Sequence, residues 1–122
     1  MIDEQIIEAD KVFTLDNFCS ANNINNIDFL KIDTQGSEEE VLKGAKKLFD
    51  EKKIKILEIE INFSDEYQNL EKSFYTIEKY IHKNYQLLAI PDRGNILTNI
   101  LYSLNVLYVE KNFLQKIKTK FF

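Results

Sequence analysis

The stretch Ile27-Asp28-Phe29-Leu30-Lys31-Ile32-Asp33-Thr34-Gln35-Gly36-Ser37-Glu38-Glu39-Glu40-Val41-Leu42-Lys43-Gly44-Ala45 changes its period once, at Gly36, and that change decides the fold. Apolar residues and β-formers dominate Ile27 to Asp33, as in a strand buried on much of both faces. Thr34-Gln35-Gly36 interrupts it. Ser37 to Glu40 then has the form of a capping box, with the Ser37 hydroxyl on an orphan helix N–H and Glu40 reaching back. Val41, Leu42, Ala45, Leu48 and Phe49 follow at helical spacing and make one apolar face. Gly44 inside this helix costs about 1 kcal/mol relative to Ala. Close approach of the helix to a sheet would offset that cost.

Upstream, Gln5 to Val12 reads as short extended pieces, and Thr14 as the N-cap of a short helix beginning Leu15-Asp16-Asn17-Phe18. The helix ends in the Asn-rich turn Asn22 to Asn26. Downstream, Ile54 to Phe63 is a second strand. Leu70, Phe74, Ile77 and Ile81 mark an amphipathic helix that ends near Asn84. Tyr85 to Ile90 is a third strand, Pro91 to Gly94 a turn, and Leu104 to Val109 a fourth strand that can pair with the third. Asn112 to Phe122 reads as a weakly amphipathic tail; its Lys-rich end, Lys116 to Phe122, can touch a partner or membrane surface, but a frayed end is the better fit. The order strand, helix, strand, helix, strand, strand predicts an α/β fold. Helices lie on a mainly parallel sheet, with one antiparallel strand near its end. The first two crossovers predict parallel neighbours.

The length of 122 residues fits a single domain, and 44% apolar with 30% charged residues is the balance of a soluble globular protein. A formal net charge of −4 argues against nucleic acid or an anionic membrane as a general partner. The single Cys19 excludes a disulfide framework and a Cys-cluster zinc site. No apolar run is long enough to span a bilayer, and Met1 to Gln5 lacks the basic and apolar regions of a signal peptide. The expectation is a cytoplasmic setting. The three glycines, Gly36, Gly44 and Gly94, are scattered, whereas phosphate- or nucleotide-cradling loops need them clustered.

Asp33 is the first candidate for chemistry. It sits where a parallel strand gives way to a helix, the edge at which open α/β sheets bind ligands. A carboxylate there can orient a hydroxyl or accept its proton, and the helix start beyond Gly36 offers backbone donors. Against this, Asp33 also suits a simple turn cap. Glu58 and Glu60 share one face of an otherwise apolar strand. Glu60 lies towards the carboxyl end, so it joins Asp33 in one crevice if the two strands are neighbours. Glu58 is the better fit to a structural ion pair. His82 reads as a surface residue at a helix end, and Cys19 as a packing thiol. No metal-ligand spacing is present, so no metal site is expected.

Thr14-Leu15-Asp16-Asn17-Phe18, with Asp28 to Ala45 after it, resembles the FkbM-type family of S-adenosylmethionine-dependent methyltransferases. Leu57 to Phe63, with Tyr67 and Phe74 behind it, looks like the family's next strand and helix, and Leu104 to Val109 like its closing strand. The resemblance implies a Rossmann-like methyltransferase fold. This chain would be a partial domain spanning 1–122, the C-terminal half, without the glycine-rich half that holds most of the cofactor. Its strands would lie in the order first, second, fourth, third. The implied activity is methyl transfer from S-adenosylmethionine to a hydroxyl of a sugar, glycan or small natural product. The implied catalytic residues are Asp33 and Glu60, and the implied cofactor contacts are Asp33, Gln35, Gly36 and Glu38. Gln35 stands where many members have Glu, Asn105 where many have Asp, and Asn84 where Gly is common. The alternative is a non-catalytic remnant, an interaction module, or one half of a split enzyme. The apolar strand Ile27 to Asp33 would then leave an edge open to self-association or to a complementary half.

Overall fold

The computed structural model describes residues 11–62, 74–81, 83–90 and 103–122. In chain order they form α1 (Leu15–Ala21), β1 (Ile27–Ile32), α2 (Glu38–Gly44), α3 (Lys46–Asp50), β2 (Ile54–Asn62), α4 (Phe74–Ile81), β3 (Tyr85–Ala89), β4 (Ser103–Glu110) and α5 (Lys111–Phe121). The expected extended pieces before Lys11, Phe63, Tyr67, Leu70, His82 and the Pro91–Gly94 turn lie outside the described residues.

The four strands make one sheet in the order β1-β2-β4-β3. β1 pairs parallel with β2, and β4 runs antiparallel to both β2 and β3, so three strands point one way and β4 against them. The α/β class and the single antiparallel strand are as the sequence predicted. One neighbour differs. β3 does not lie beside β2, because β4 is inserted between them. The strand order is the one the family resemblance implied.

Alternation along the strands explains where the core sits. Leu57, Ile59 and Ile61 of β2 are fully buried and pair with Tyr108, Val106 and Leu104 of β4, also buried. Ile32 of β1 lies beside Ile59 on the same face. Leu42 of α2, Leu48 and Phe49 of α3, Ala45 between them, and Ile77 and Ile81 of α4 complete that cluster. Each such side chain contributes about 1.5–3 kcal/mol when fully buried. Phe49 meets Tyr85 edge-on with ring centroids 5.4 Å apart, and the Tyr85 hydroxyl donates to the Ile54 carbonyl at 2.6 Å. Burial pushes the Tyr85 phenol upward, away from its ordinary pKa.

The sequence predicted one helix from Ser37 through Phe49; the structure has two, broken at Ala45. The physical reason is Asp16. Its carboxylate accepts the backbone N–H groups of Lys47 at 2.9 Å and Leu48 at 3.0 Å, so α3 starts afresh under a cap supplied by α1. Gly44 also has a different neighbour from the one expected. A Cβ there would lie 3.2 Å from Thr14 Cβ and 3.5 Å from Thr14 Cα, so α2 closes on the start of α1 and not on the sheet. Thr14 is held in place as the N-cap of α1, its hydroxyl accepting from Asn17 N–H at 3.1 Å. The two sequence blocks Thr14 to Phe18 and Val41 to Ala45 are thus one contact.

A polar tie joins α2 to α4. The Tyr80 hydroxyl donates to Glu39 Oε1 at 2.7 Å, with Lys43 Nζ at 3.4 Å and Lys79 Nζ at 3.9 Å from the same oxygen. The hydrogen bond from Tyr80 holds Glu39 below its ordinary pKa of 4.5. Burial, and then the bond to Glu39, push Tyr80 up from 10 to about 12.

Two predictions follow from these contacts. Gly44→Ala destabilises the wild type by about 1 kcal/mol through the crowding at Thr14. In a Thr14→Gly background the same change is neutral or stabilising, because helix propensity then acts alone. Equal effects in both backgrounds, read from urea unfolding, would remove Thr14 as the reason for the glycine. The second concerns pH. Glu39 has a lowered pKa, so its contribution is present above pH 4.5 and is lost as the pH falls through its folded value. Tyr80 has a raised pKa, so its contribution is present below pH 10 and is lost as the pH rises towards 12. The melting difference between wild type and Tyr80→Phe should therefore be largest near neutrality and narrow at both extremes.

Candidate functional site

The β1–β2 register pairs Lys31 with Glu58 and Ile32 with Ile59. The β2–β4 register pairs Glu60 with Asn105. Glu60 and Asn105 are therefore paired on the face opposite Ile59 and Ile61, and Asp33 is the residue that follows the last position of the neighbouring strand β1. Asp33 is exposed, while Glu60 and Asn105 are half-buried. They stand near the carboxyl ends of the parallel strands, the edge at which open sheets bind ligands. The sequence had placed Asp33 and Glu60 together on the condition that their strands were neighbours, and they are.

Glu58 is one pair deeper on the same face. Its carboxylate lies 3.6 Å from Lys31 Nζ, so it serves an ion pair across the strands, the structural use expected for it. Glu60 is then the β2 carboxylate nearer the strand end. Asn105 did not emerge as a site residue from the sequence. Alternation in β4 already set it apart from Leu104, Val106 and Tyr108. Its placement opposite Glu60 depends on β4 lying beside β2.

The turn after β1 departs from the capping box that the sequence suggested. The Ser37 side chain makes no cap bond, and Ser37 has φ −113° and ψ 24°, outside the extended conformation of a usual N-cap. Glu38 reaches back in place of Glu40. Its side chain is buried, and Oε1 accepts from Thr34 N–H at 2.9 Å and from Gly36 N–H at 3.4 Å. The Thr34 hydroxyl accepts from Ser37 N–H at 3.1 Å. Of the backbone donors expected beyond Gly36, Ser37 N–H is thus met within the turn, as are those of Thr34 and Gly36 before it.

Gln35 and Gly36 both have positive φ, 52° and 134°. The glycine takes this conformation freely, whereas a glutamine at φ 52° is strained by about 1 kcal/mol or more. That backbone turns the Gln35 side chain back over the strand end, where Nε2 donates to Asp33 Oδ1 at 2.7 Å. A glutamate at this position has no proton to give Asp33 at neutral pH, so the amide orients that carboxylate in a way Glu does not. Of the four expected cofactor contacts, Asp33 and Gln35 are exposed at the strand end. Gly36 N–H and Glu38 are bonded to each other beneath it.

A cavity of about 260 Å³ lies elsewhere, lined by Asp16, Cys19, Asn25, Lys47 and Lys53 among others. Asn25 and Lys53 just precede β1 and β2, so it sits at the amino ends of the strands. Asp16 is committed there to capping α3, and Cys19 is a buried thiol within the core cluster. The carboxyl end is the better site because it gathers acids from adjacent strands. Among the described residues no group of His, Cys, Asp and Glu is arranged to hold a metal ion. No helix among them is long and apolar enough to cross a membrane.

If Glu38 holds the turn, Glu38→Ala should cost about 1–3 kcal/mol in chemical unfolding, because two backbone donors lose their acceptor. Glu38→Gln keeps a carbonyl oxygen and should cost less. Hydrogen exchange at the Thr34 and Gly36 amides should accelerate in the alanine variant. Unchanged protection there would show that Glu38 does not organise the turn.

No curated protein and no solved structure matches the chain in comparison searches. A family model does match, over residues 5–95, a span that takes in the paired helix starts of α1 and α3, the turn closed by Glu38 and both β1 and β2. Its description is the methyltransferase FkbM domain, and the chain belongs to that family.

Proposed function

We propose that the chain carries the acceptor side of an S-adenosylmethionine-dependent O-methyltransferase. Asp33 receives or orients the acceptor hydroxyl, and Glu60 supports it. The observation that carries this reading is the exposed Asp33 directly after β1, beside a strand β2 that carries Glu60 opposite Asn105, in a chain of the FkbM methyltransferase family. S-adenosylmethionine supplies an electrophilic methyl group when bound. Asp33 accepts the proton of the attacking hydroxyl, a role that asks for a carboxylate within hydrogen-bond reach and little else. Gln35 fixes the Asp33 carboxylate through its amide. Glu60 and Asn105, paired across β2 and β4, make this end of the sheet polar, a lining that suits an acceptor with several hydroxyls. We favour a sugar, a glycan or a small natural product as acceptor for that reason. Asp33 and Gln35 are the residues best placed to touch the cofactor from this side. Glu38 and Gly36 contribute by holding the turn.

A second reading concerns how the cofactor is held. Residues 1–122 contain three isolated glycines and no glycine cluster, and among the described residues β1 has a strand on one side only. Both features favour a complementary half, or a second copy, that completes the sheet at β1. The chain would then be one part of a split enzyme, or an interaction module that has kept the fold. Calorimetric titration with S-adenosylmethionine separates the readings. The chain by itself should bind weakly or not at all, and micromolar or tighter binding would overturn the need for a complementary half. In the protein that does bind the cofactor, Asp33→Asn should lower turnover by roughly 10²–10⁴-fold with little change in melting temperature. Equal turnover in wild type and variant would take Asp33 out of the site.

A further inference from the structure

We infer that α5 is a docking element for an anionic lipid surface. The sequence alone favoured a frayed, weakly amphipathic tail over Asn112 to Phe122 above a surface contact. The structure shows an 11-residue helix with a firm start. Glu110 is buried, and its carboxylate accepts from Asn112 N–H at 2.9 Å and Phe113 N–H at 2.8 Å. The helix follows directly on β4, and Phe113, Leu114 and Ile117 along one side of it are half-buried. Phe121 continues the same stripe and is 67% exposed, and Phe122 beyond it is fully exposed.

The charge pattern around that stripe is one-signed. From Lys111 to Phe122 there are four lysines and no acid. The segment carries +4 and the remainder of the chain −8, which together give the formal −4. At about 100° per residue, Phe113, Leu114, Ile117 and Phe121 fall within an arc of roughly 100°. Lys111 and Lys118 flank one side of the arc, and Lys116 and Lys120 the other. All four lysines are exposed. An apolar stripe bordered by lysines on both sides is the pattern of a helix lying in the plane of a membrane interface. A planar anionic surface attracts this helix and repels the acidic body, so it meets the protein in one orientation. Exposed phenylalanines beside the lysines give such a surface something to bury, which a phosphate backbone does not need.

The test is co-sedimentation of the full chain with vesicles. Binding should occur with vesicles of phosphatidylcholine and phosphatidylserine at low salt, fall as salt is raised, and be absent with phosphatidylcholine alone. Each lysine near an anionic surface is worth about five-fold in partitioning, so Lys116→Gln/Lys118→Gln/Lys120→Gln should weaken binding on the order of 100-fold. Lys111 is left intact because its Nζ donates to the Lys83 carbonyl at 3.1 Å. Phe121→Ser, which leaves the charge unchanged, should weaken binding as well. Circular dichroism melts confirm that both variants remain folded. Wild-type protein that ignores the anionic vesicles would overturn the assignment. So would equal binding by the lysine variant, equal binding to neutral vesicles, or retention by duplex DNA or RNA in place of lipid.

Discussion

The central strand β2 constrains everything else in this molecule. Leu57, Ile59 and Ile61 are fully buried, so the backbone between them is shut off from water on that face and must be paired on both edges. β1 meets one edge as a parallel strand, and β4 meets the other as an antiparallel one. A parallel neighbour requires a crossover, which α2 and α3 supply, and their apolar faces then cover the buried side of the sheet. The carboxyl ends of β1 and β2 are thereby fixed side by side. The pairing of Glu60 with Asn105, next to the strand that ends before Asp33, follows from satisfying the backbone of one strand.

Buried or capping carboxylates do most of the local shaping. Asp16 starts α3, Glu38 closes the turn after β1, and Glu110 starts α5. Each accepts two backbone N–H groups that have no partner of their own, which is where a carboxylate gains most from charge-assisted bonding. Asp33 and Glu60 differ from these three. They stand at the strand ends, where a second molecule can reach them. The short Thr14–Gly44 approach belongs to the first group of constraints, since it sets how closely α1 can sit under α2.

The fold gives the protein two faces of unlike character. One end of the sheet gathers acids and an amide around the turn of β1. Past the end of β4, the basic helix α5 extends from a body of opposite charge. Neither face depends on the other, since the acids are placed by strand register and the lysines by helical period.

Much of this was legible in the residues themselves. The change of period at Gly36 marked β1 and α2, and Thr14 capped α1 as its hydroxyl and position implied. The carboxyl-end location of Asp33 and Glu60 was readable because a side chain's position along a strand is local information. What the residues could not decide was anything that depends on a partner distant in the chain. The break at Ala45 is imposed by Asp16, which lies 31 residues before Lys47, and no local propensity records it. The closeness of Gly44 to Thr14 is equally non-local, and the place of β4 between β2 and β3, which sets Asn105 opposite Glu60, was legible only through the family resemblance and not from period or propensity. The turn after β1 was misjudged for a related reason. Glu38 and Glu40 have the same chemistry, and only burial of Glu38 against the turn determined which carboxylate reached back. The sequence by itself determined the elements and their chemistry, because propensity and period act over a few residues. The tertiary structure decided which carboxylates cap and which face outward, because that choice rests on which distant backbone donors are left without water.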